Sequence, residues 1–240
     1  MKLEKTIYQR SWIYFVIFFL FMLWGFWVTY FTKILDQENY RMHMHGAALV
    51  LWCLMLIVQP YLIRIKQVKI HRKLGLFSYL LVPFLVFTTV DLLKYRLNGK
   101  SPVSNVDSLF VALVINALIV FVIFYGLAIY HRGKGTIHAR YMLSTPLPFI
   151  TAITDRIISI HFPGWLGWLP KLGNEPLVMI YGFALADLLV IGLCIWDWRS
   201  HKRLNVFPFV LLVLLVYHFS VLYFYKYSFW IKFSEWFVSF

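Results

Sequence analysis

The sequence predicts an all-α, polytopic membrane protein: a bundle of seven transmembrane helices forming one domain over residues 1–240. The chain of 240 residues is 61% hydrophobic and only 14% charged, with a mean hydropathy of +0.73, whereas a soluble domain is about 45–50% apolar. Its apolar residues are gathered in seven runs of about twenty residues, the length that a helix needs to cross the hydrocarbon core. Its basic residues fall mainly in the connections between those runs.

Each apolar run is predicted to form one transmembrane helix. In chain order, the predicted helices cover about residues 11–32, 43–63, 74–93, 108–130, 139–160, 176–196 and 205–225. The first run is longer than the apolar part of a signal peptide and has no small-residue cleavage motif, so it is predicted to remain as a helix. Pro146 and Pro148 remove backbone donors from the fifth run and predict a kink there. The aromatic C-terminal tail is predicted to form a short interfacial helix.

The distribution of Lys and Arg predicts the orientation of the chain. The N-terminal segment and the connections after the second, fourth and sixth helices hold 14 of these residues, and the opposite connections with the C-terminal tail hold 8. Because cytoplasmic loops carry the excess of Lys and Arg, the N-terminus is predicted to be cytoplasmic and the C-terminus external. The net charge of +13 is therefore explained by topology and by contact with the anionic lipid bilayer, and nucleic-acid binding is not predicted.

Ionisable side chains inside the runs are the first candidates for a functional site, because each costs about 2.5–3.5 kcal/mol at mid-bilayer on insertion scales. The candidate metal ligands, all predicted in the outer half of the bilayer, are His43, His45, Asp155, Asp187 and His218. Three imidazoles and a carboxylate would suit zinc, and Met42 and Met44 would suit copper(I). Arg156 is predicted to balance the charge of the carboxylates or to hold an anion. The alternative is that these charges pair with one another and only fix helix packing.

A second group of histidines is predicted at the cytoplasmic boundary. His71, His131 and His138 each stand next to a basic turn at the end or start of an apolar run. Imidazole is a haem ligand, so these residues are candidates for binding haem b or for contacting a quinone. The alternative is that they cap helices and contact lipid headgroups.

Other sequence features narrow the class of protein. Cys53 and Cys194 lie inside apolar runs without the spacing of a metal motif or an indication of a disulfide. The chain has no Gly-rich phosphate loop, HExxH, Gly-x-Ser-x-Gly or CxxC motif. Gly182 and Ala186 form a small-xxx-small pattern in the sixth run, which predicts close contact with another helix.

Several short motifs resemble a known family. They are His43-Met-His45-Gly46, Trp52, Gln59, His71-Arg72-Lys-Leu-Gly75 and His138-Ala-Arg140. Over about residues 43–160 the chain is similar to an uncharacterised family of bacterial multi-pass membrane proteins, the domain-of-unknown-function 2306 family. The resemblance implies a location in the bacterial inner membrane and brings no established activity.

Two functional hypotheses follow from the sequence. The first is an inner-membrane protein whose histidine and aspartate residues bind a metal, zinc or copper, or haem in the outer half of the bilayer. The second is a non-enzymatic transporter, or an assembly subunit for membrane-protein partners, whose buried charges only fix helix packing.

Overall fold

The computed structural model describes residues 3–100, 102–202 and 204–239, with only the backbone of Tyr8. Nearly all of this chain is helical. Its α-helices are α1 (Leu3–Trp27), α2 (Tyr40–Arg64), α3 (Val68–Leu97), α4 (Asn105–Tyr130), α5 (Gly135–Ser144), α6 (Ile150–His161), α7 (Met179–His201), α8 (Phe207–Tyr223) and α9 (Ser228–Ser239). The strands β1 (Lys171–Leu172) and β2 (Glu175–Pro176) form a small antiparallel hairpin between α6 and α7.

Six helices are long and apolar enough to cross a membrane: α1, α2, α3, α4, α7 and α8. The prediction of an all-α, multi-pass membrane protein is thereby confirmed, and six of the seven predicted runs correspond to these helices. The observed helices extend beyond several predicted bounds. For example, α3 begins at Val68 and so includes Lys69 and Arg72. The helix can extend beyond its apolar part because long basic side chains at a helix end can reach water.

The fifth predicted run is not one continuous helix. It consists of α5, a short 3-10 turn over Leu147–Phe149 and α6. The predicted kink at Pro146 and Pro148 is confirmed as this break, since neither proline has a backbone N–H to continue the helix. Residues 144–148 are all buried, so the non-helical backbone is enclosed by protein.

The described chain divides into two compact units. The first contains residues 3–92 and 196–202, and the second contains residues 93–195 and 204–239 apart from 101. In the first unit α1 packs along α2, with Trp52 and Leu56 among the buried side chains. In the second unit α4 is the central helix, and α5, α8 and α9 all pack against it.

Two helices begin with capping residues that the sequence itself supplies. The Asn39 side chain accepts a hydrogen bond from the Arg41 backbone N–H at 3.0 Å and so starts α2. At the start of α4, the Ser104 hydroxyl accepts from the Asp107 N–H at 3.1 Å and donates to the Asp107 carboxylate at 2.6 Å. Lys100 also forms an ion pair with Asp107. These side chains satisfy backbone donors that have no partner inside a helix.

The C-terminal tail forms a helix, α9, that docks on α4. Its buried residues are Trp230, Ser234 and Phe237. The Trp230 indole Nε1–H donates to the Ser108 carbonyl at 3.1 Å, and the hydroxyl oxygens of Ser108 and Ser234 lie 3.1 Å apart. The position of α9 at the membrane interface stays a prediction.

Candidate functional site

Asp187 of α7 and His218 of α8 form a pair inside the second unit. The Asp187 Oδ2 lies 3.2 Å from the His218 Nδ1, and the two side chains are 21% and 8% exposed. Phe183 lies one helical turn before Asp187, on the same side of α7. Its ring stacks on the His218 imidazole with 4.0 Å between the centroids. Two of the predicted outer-half residues therefore meet, between two helices that can each cross a membrane.

A polar seam joins α4 to α8 beside this pair. Asn116 donates from its amide to the Ser220 hydroxyl at 2.8 Å, and Ser220 donates to the Tyr217 carbonyl at 2.7 Å. The buried Tyr217 hydroxyl donates to the Leu113 carbonyl at 3.1 Å. These bonds satisfy polar groups in an apolar bundle and hold α8 in register with α4. They fix how His218 is presented to Asp187.

Asp155 and Arg156 of α6 do not join the Asp187–His218 pair. The Asp155 Oδ1 is buried and forms no hydrogen bond within the part of the chain that the structure describes. The Arg156 guanidinium donates to the Ala152 carbonyl at 2.6 Å, and its charge attracts that of Asp155. The charge-balancing role of Arg156 stays a prediction.

His43 uses both of its ring nitrogens within the first unit. Its Nε2 lies 2.7 Å from the Gln37 backbone carbonyl, which can only accept, so Nε2 carries a proton and donates it. Its Nδ1, 3.1 Å from the Tyr30 hydroxyl, therefore accepts from that hydroxyl. Metal ligation by His43 would require one of these two hydrogen bonds to break.

His45 lies at the α2–α3 contact of the first unit, one turn below an ion pair. The Thr89 hydroxyl donates to the Leu85 carbonyl at 2.7 Å, so it must accept from the His45 Nδ1–H at 3.2 Å. One turn earlier on α2, the Arg41 Nε lies 3.0 Å from the Asp91 Oδ2. Arg41 precedes the predicted helix 43–63, and Asp91, which the sequence analysis did not consider, lies near the outer end of the predicted helix 74–93.

Three residues of the family-like motifs meet where α2 ends and α3 begins. The His71 Nδ1 lies 3.3 Å from the Gln59 backbone carbonyl. The Gln59 side-chain amide lies beside them, and in its better-satisfied orientation its oxygen accepts from the Gly75 N–H at 2.9 Å. This arrangement ties the two helices together.

The other two inner histidines belong to the second unit. His138 of α5 donates from Nδ1 to the Ala128 carbonyl at 2.8 Å. The His131 ring stacks on Tyr141, with 6.0 Å between centroids, and meets the edge of Tyr130 at 4.9 Å. His138 therefore connects α5 to α4, and His131 connects the turn after α4 to α5.

Two further polar groups are buried: Arg140, which the sequence analysis noted only in a motif, and Asp197, which follows the predicted helix 176–196 and was missed. Arg140 of α5 is only 1% exposed and donates to the Thr136 carbonyl at 2.9 Å. In the first unit, the buried Asp197 accepts from the His201 Nδ1 at 3.1 Å, and the His201 Nε2 lies 3.5 Å from the Glu4 carboxylate. The four-residue spacing of Asp197 and His201 was the available signal, because residues i and i+4 meet on one helix face.

Among the described residues, Asp187 and His218 are the two predicted metal ligands that contact each other, and the haem sites stay predictions. No group of three or more His, Cys, Asp or Glu side chains among the described residues is placed to hold a metal ion. Asp187 and His218 supply two ligands, whereas a catalytic zinc takes three from the protein. Cys53 and Cys194 are free thiols.

The fold and the paired residues define the class as a multi-pass membrane protein with an Asp–His pair between two membrane-length helices. Comparisons of the chain with family models, with curated proteins and with solved structures gave no match. The resemblance to the domain-of-unknown-function 2306 family stays a prediction.

Proposed function

We propose that this chain is a non-enzymatic, proton-binding transporter of the bacterial inner membrane, with the N-terminus in the cytoplasm and the C-terminus outside. The observation that carries the proposal is the 3.2 Å contact between the Asp187 carboxylate and the His218 imidazole. Ionisable residues at membrane depth are costly and rare, and Asp and His side chains there mark the proton relays of pumps and transporters. The proposal keeps the transporter class of the second sequence hypothesis but, unlike that hypothesis, gives the buried Asp187–His218 pair a role beyond helix packing.

Seven transmembrane segments are part of the proposal, with α5 and α6 together making the fifth crossing. At 1.5 Å per residue, Gly135–His161 spans about 40 Å, enough for the hydrocarbon core. Non-helical backbone at membrane depth is tolerated where protein encloses it, and residues 144–148 are buried. A crossing here also keeps the basic connections after α4 and α7 on one side.

A proton is a ligand that an isolated Asp–His pair can hold. The pair has no third protein ligand for a metal among the described residues, but a proton held by either the carboxylate or the imidazole needs none. In a low-dielectric environment, a charged carboxylate and a charged imidazolium are favoured only while the two groups stay in contact. Any movement of α7 against α8 would therefore change the affinity of the pair for a proton, which is the coupling that transport requires.

The depth of the pair supports access from outside the cell. Asp187 lies about 12 Å along α7 from its start at Met179, and His218 lies about 8 Å from the end of α8 at Tyr223. Both of these helix ends are external in the proposed topology. A proton bound at this depth has crossed part of the hydrocarbon core from the outer side.

The proposal is tested with the purified protein in lipid nanodiscs. Dicyclohexylcarbodiimide, an apolar reagent, modifies carboxyl groups in their protonated form, and peptide mass spectrometry locates the product. We expect modification of Asp187 that decreases as the pH rises from about 5 to 8, the range over which histidine titrates. His218→Gln is expected to change this pH dependence, since the partner that competes for the proton is lost.

The alternatives give different results in the same sample. An Asp187 that resists the reagent at every pH would mean that the pair only fixes helix packing. A stoichiometric metal in elemental analysis, or a Soret band in the absorption spectrum, would overturn the proton site in favour of a cofactor.

A further inference from the structure

We propose that the Asp187–His218 pair binds a lipophilic cation that reaches it sideways from the bilayer, in exchange for a proton. This inference rests on the proposed function and adds the class of substrate to it. It is drawn from the position of Asp187 at the edge of the lipid-facing surface of α7, and from the chemistry of the residues around it.

Asp187 stands where the buried face of α7 meets its exposed face. Phe183, Ala186 and Val190 are buried, whereas Leu188 and Leu189 are exposed. The Asp187 side chain is 21% exposed, and the His218 imidazole behind it is 8% exposed. The carboxylate is therefore the outermost polar group of the pair.

The surface next to Asp187 is apolar on both helices. Leu188, which adjoins Asp187 in α7, is 67% exposed, and Leu215 and Phe219, within one turn of His218 in α8, are also exposed. Both helices have the length and hydropathy of membrane spans, so in a bilayer these side chains face hydrocarbon. A molecule that reaches Asp187 along this surface must itself dissolve in hydrocarbon.

The charge of the pair selects a cation among such molecules. Within the described residues, no Lys or Arg lies within salt-bridge distance of Asp187, and His218 is its one ion-pair partner. A delocalised organic cation gains the interaction with the carboxylate and loses little hydration on leaving water.

The proton and the cation compete for one negative charge. When the cation pairs with Asp187, it needs the negative charge of the carboxylate. A proton on the carboxyl would remove that charge, so the proton leaves. When the carboxyl is protonated, a bound cation has no counter-charge in low dielectric and is released. One proton is exchanged for one monovalent cation, and no bond other than that to the proton is made or broken.

Tetraphenylphosphonium serves as the probe, with the full-length protein in nanodiscs of neutral lipid. We expect saturable binding at about pH 8 that is at least tenfold weaker at about pH 5, and at least tenfold weaker in Asp187→Asn at about pH 8. Asp155→Asn is the matched control, because it removes another intramembrane carboxylate of the same unit that does not contact the pair. Equal binding by wild type and Asp187→Asn, or an equal loss in Asp155→Asn, would overturn the inference.

A second measurement uses the wild-type protein alone and so does not depend on how a variant folds. Tetraphenylphosphonium is expected to slow the modification of Asp187 by dicyclohexylcarbodiimide several-fold, whereas tetramethylammonium, which does not enter hydrocarbon, is expected to have no effect. Modification that depends on pH but is not slowed by tetraphenylphosphonium would overturn the cation site and leave the proton site standing. Absence of pH-dependent modification would overturn the proposed function itself.

Discussion

Gly182 of α7 lies so close to Thr151 of α6 that a β-carbon on Gly182 would stand 2.6 Å from the Thr151 Cα. The same β-carbon would stand 2.5 Å from the Thr154 Oγ1. The nearest Thr151 atom belongs to the backbone, so a side-chain rotation cannot relieve the clash. The contact holds the second half of the broken fifth segment against the helix that carries Asp187.

Gly182→Ala is therefore expected to destabilise the protein by about 1–3 kcal/mol, the range for overpacking a well-filled contact. The measurement is thermal unfolding in detergent, followed by tryptophan fluorescence. Gly192→Ala is the matched control, because a β-carbon there meets nothing within 4 Å and Ala favours a helix over Gly. Equal shifts for the two variants would contradict the close contact.

The small-xxx-small pattern at Gly182 shows what the sequence could predict. Apolar length, prolines and small residues are local signals, and six of the seven predicted helices, the kink at the prolines and the close approach at Gly182 are confirmed. The Asp187–His218 contact was predicted only as a convergence, because it depends on how α7 and α8 rotate about their axes. Hydrophobic periodicity is weak in helices that are apolar on all sides, so it does not fix that rotation.

The outer histidines show why the rest of the candidate site was not predictable. His43 is held by the Gln37 carbonyl, which belongs to a connection without regular periodicity, and His45 is held by Thr89 of α3. Neither partner is marked in the sequence as different from other polar residues. The sequence identified the rare polar groups but not which of them already had partners.

The topology proposal predicts that the connections on either side of α5 and α6 face opposite sides of the membrane. Gly133 precedes α5 and Gly164 follows α6, and an added β-carbon at either position meets nothing within 4 Å. In a background without Cys53 and Cys194, we expect a membrane-impermeant maleimide to label Gly164→Cys on intact spheroplasts. Gly133→Cys is expected to react only after permeabilisation.

Asn98→Cys provides the external reference for this labelling, since it follows α3 on the side proposed to be outside. If Gly133→Cys and Gly164→Cys react together under both conditions, α5 and α6 do not cross the membrane, and the chain has six spans.

Trp230 is predicted to fix α9 on α4. Trp230→Phe keeps an aromatic ring but removes the donor to the Ser108 carbonyl, a loss of about 1 kcal/mol together with part of the buried area. We expect faster backbone hydrogen exchange over residues 228–239, measured by mass spectrometry. Trp236→Phe is the control in the same helix, since Trp236 is exposed, and exchange at the wild-type rate is expected for it. Equal rates in both variants would show that the indole donor does not hold α9.

Tyr30 is predicted to stabilise the connection before α2 in a pH-dependent way. Its hydroxyl donates to His43, and burial raises the pKa of the Tyr30 phenol above its ordinary value, so the donor keeps its proton at neutral pH. Tyr30→Phe is expected to lower the free energy of unfolding by about 1 kcal/mol near pH 7, measured from unfolding midpoints in detergent. Tyr40→Phe, at an exposed position, is the control and is expected to leave the midpoint unchanged.

The sign of the pH effect follows from the raised pKa of Tyr30. The unfolded phenol ionises at about pH 10 while the folded one remains protonated, so the unfolded state alone is stabilised by losing its proton as the pH rises further. The advantage of the wild type over Tyr30→Phe should therefore be constant between about pH 7 and pH 9 and narrow above about pH 10. The other tyrosines are common to both proteins and cancel in the difference. An advantage that widened with rising pH would mean that the Tyr30 phenolate is favoured in the folded protein, and would contradict its role as the donor to His43.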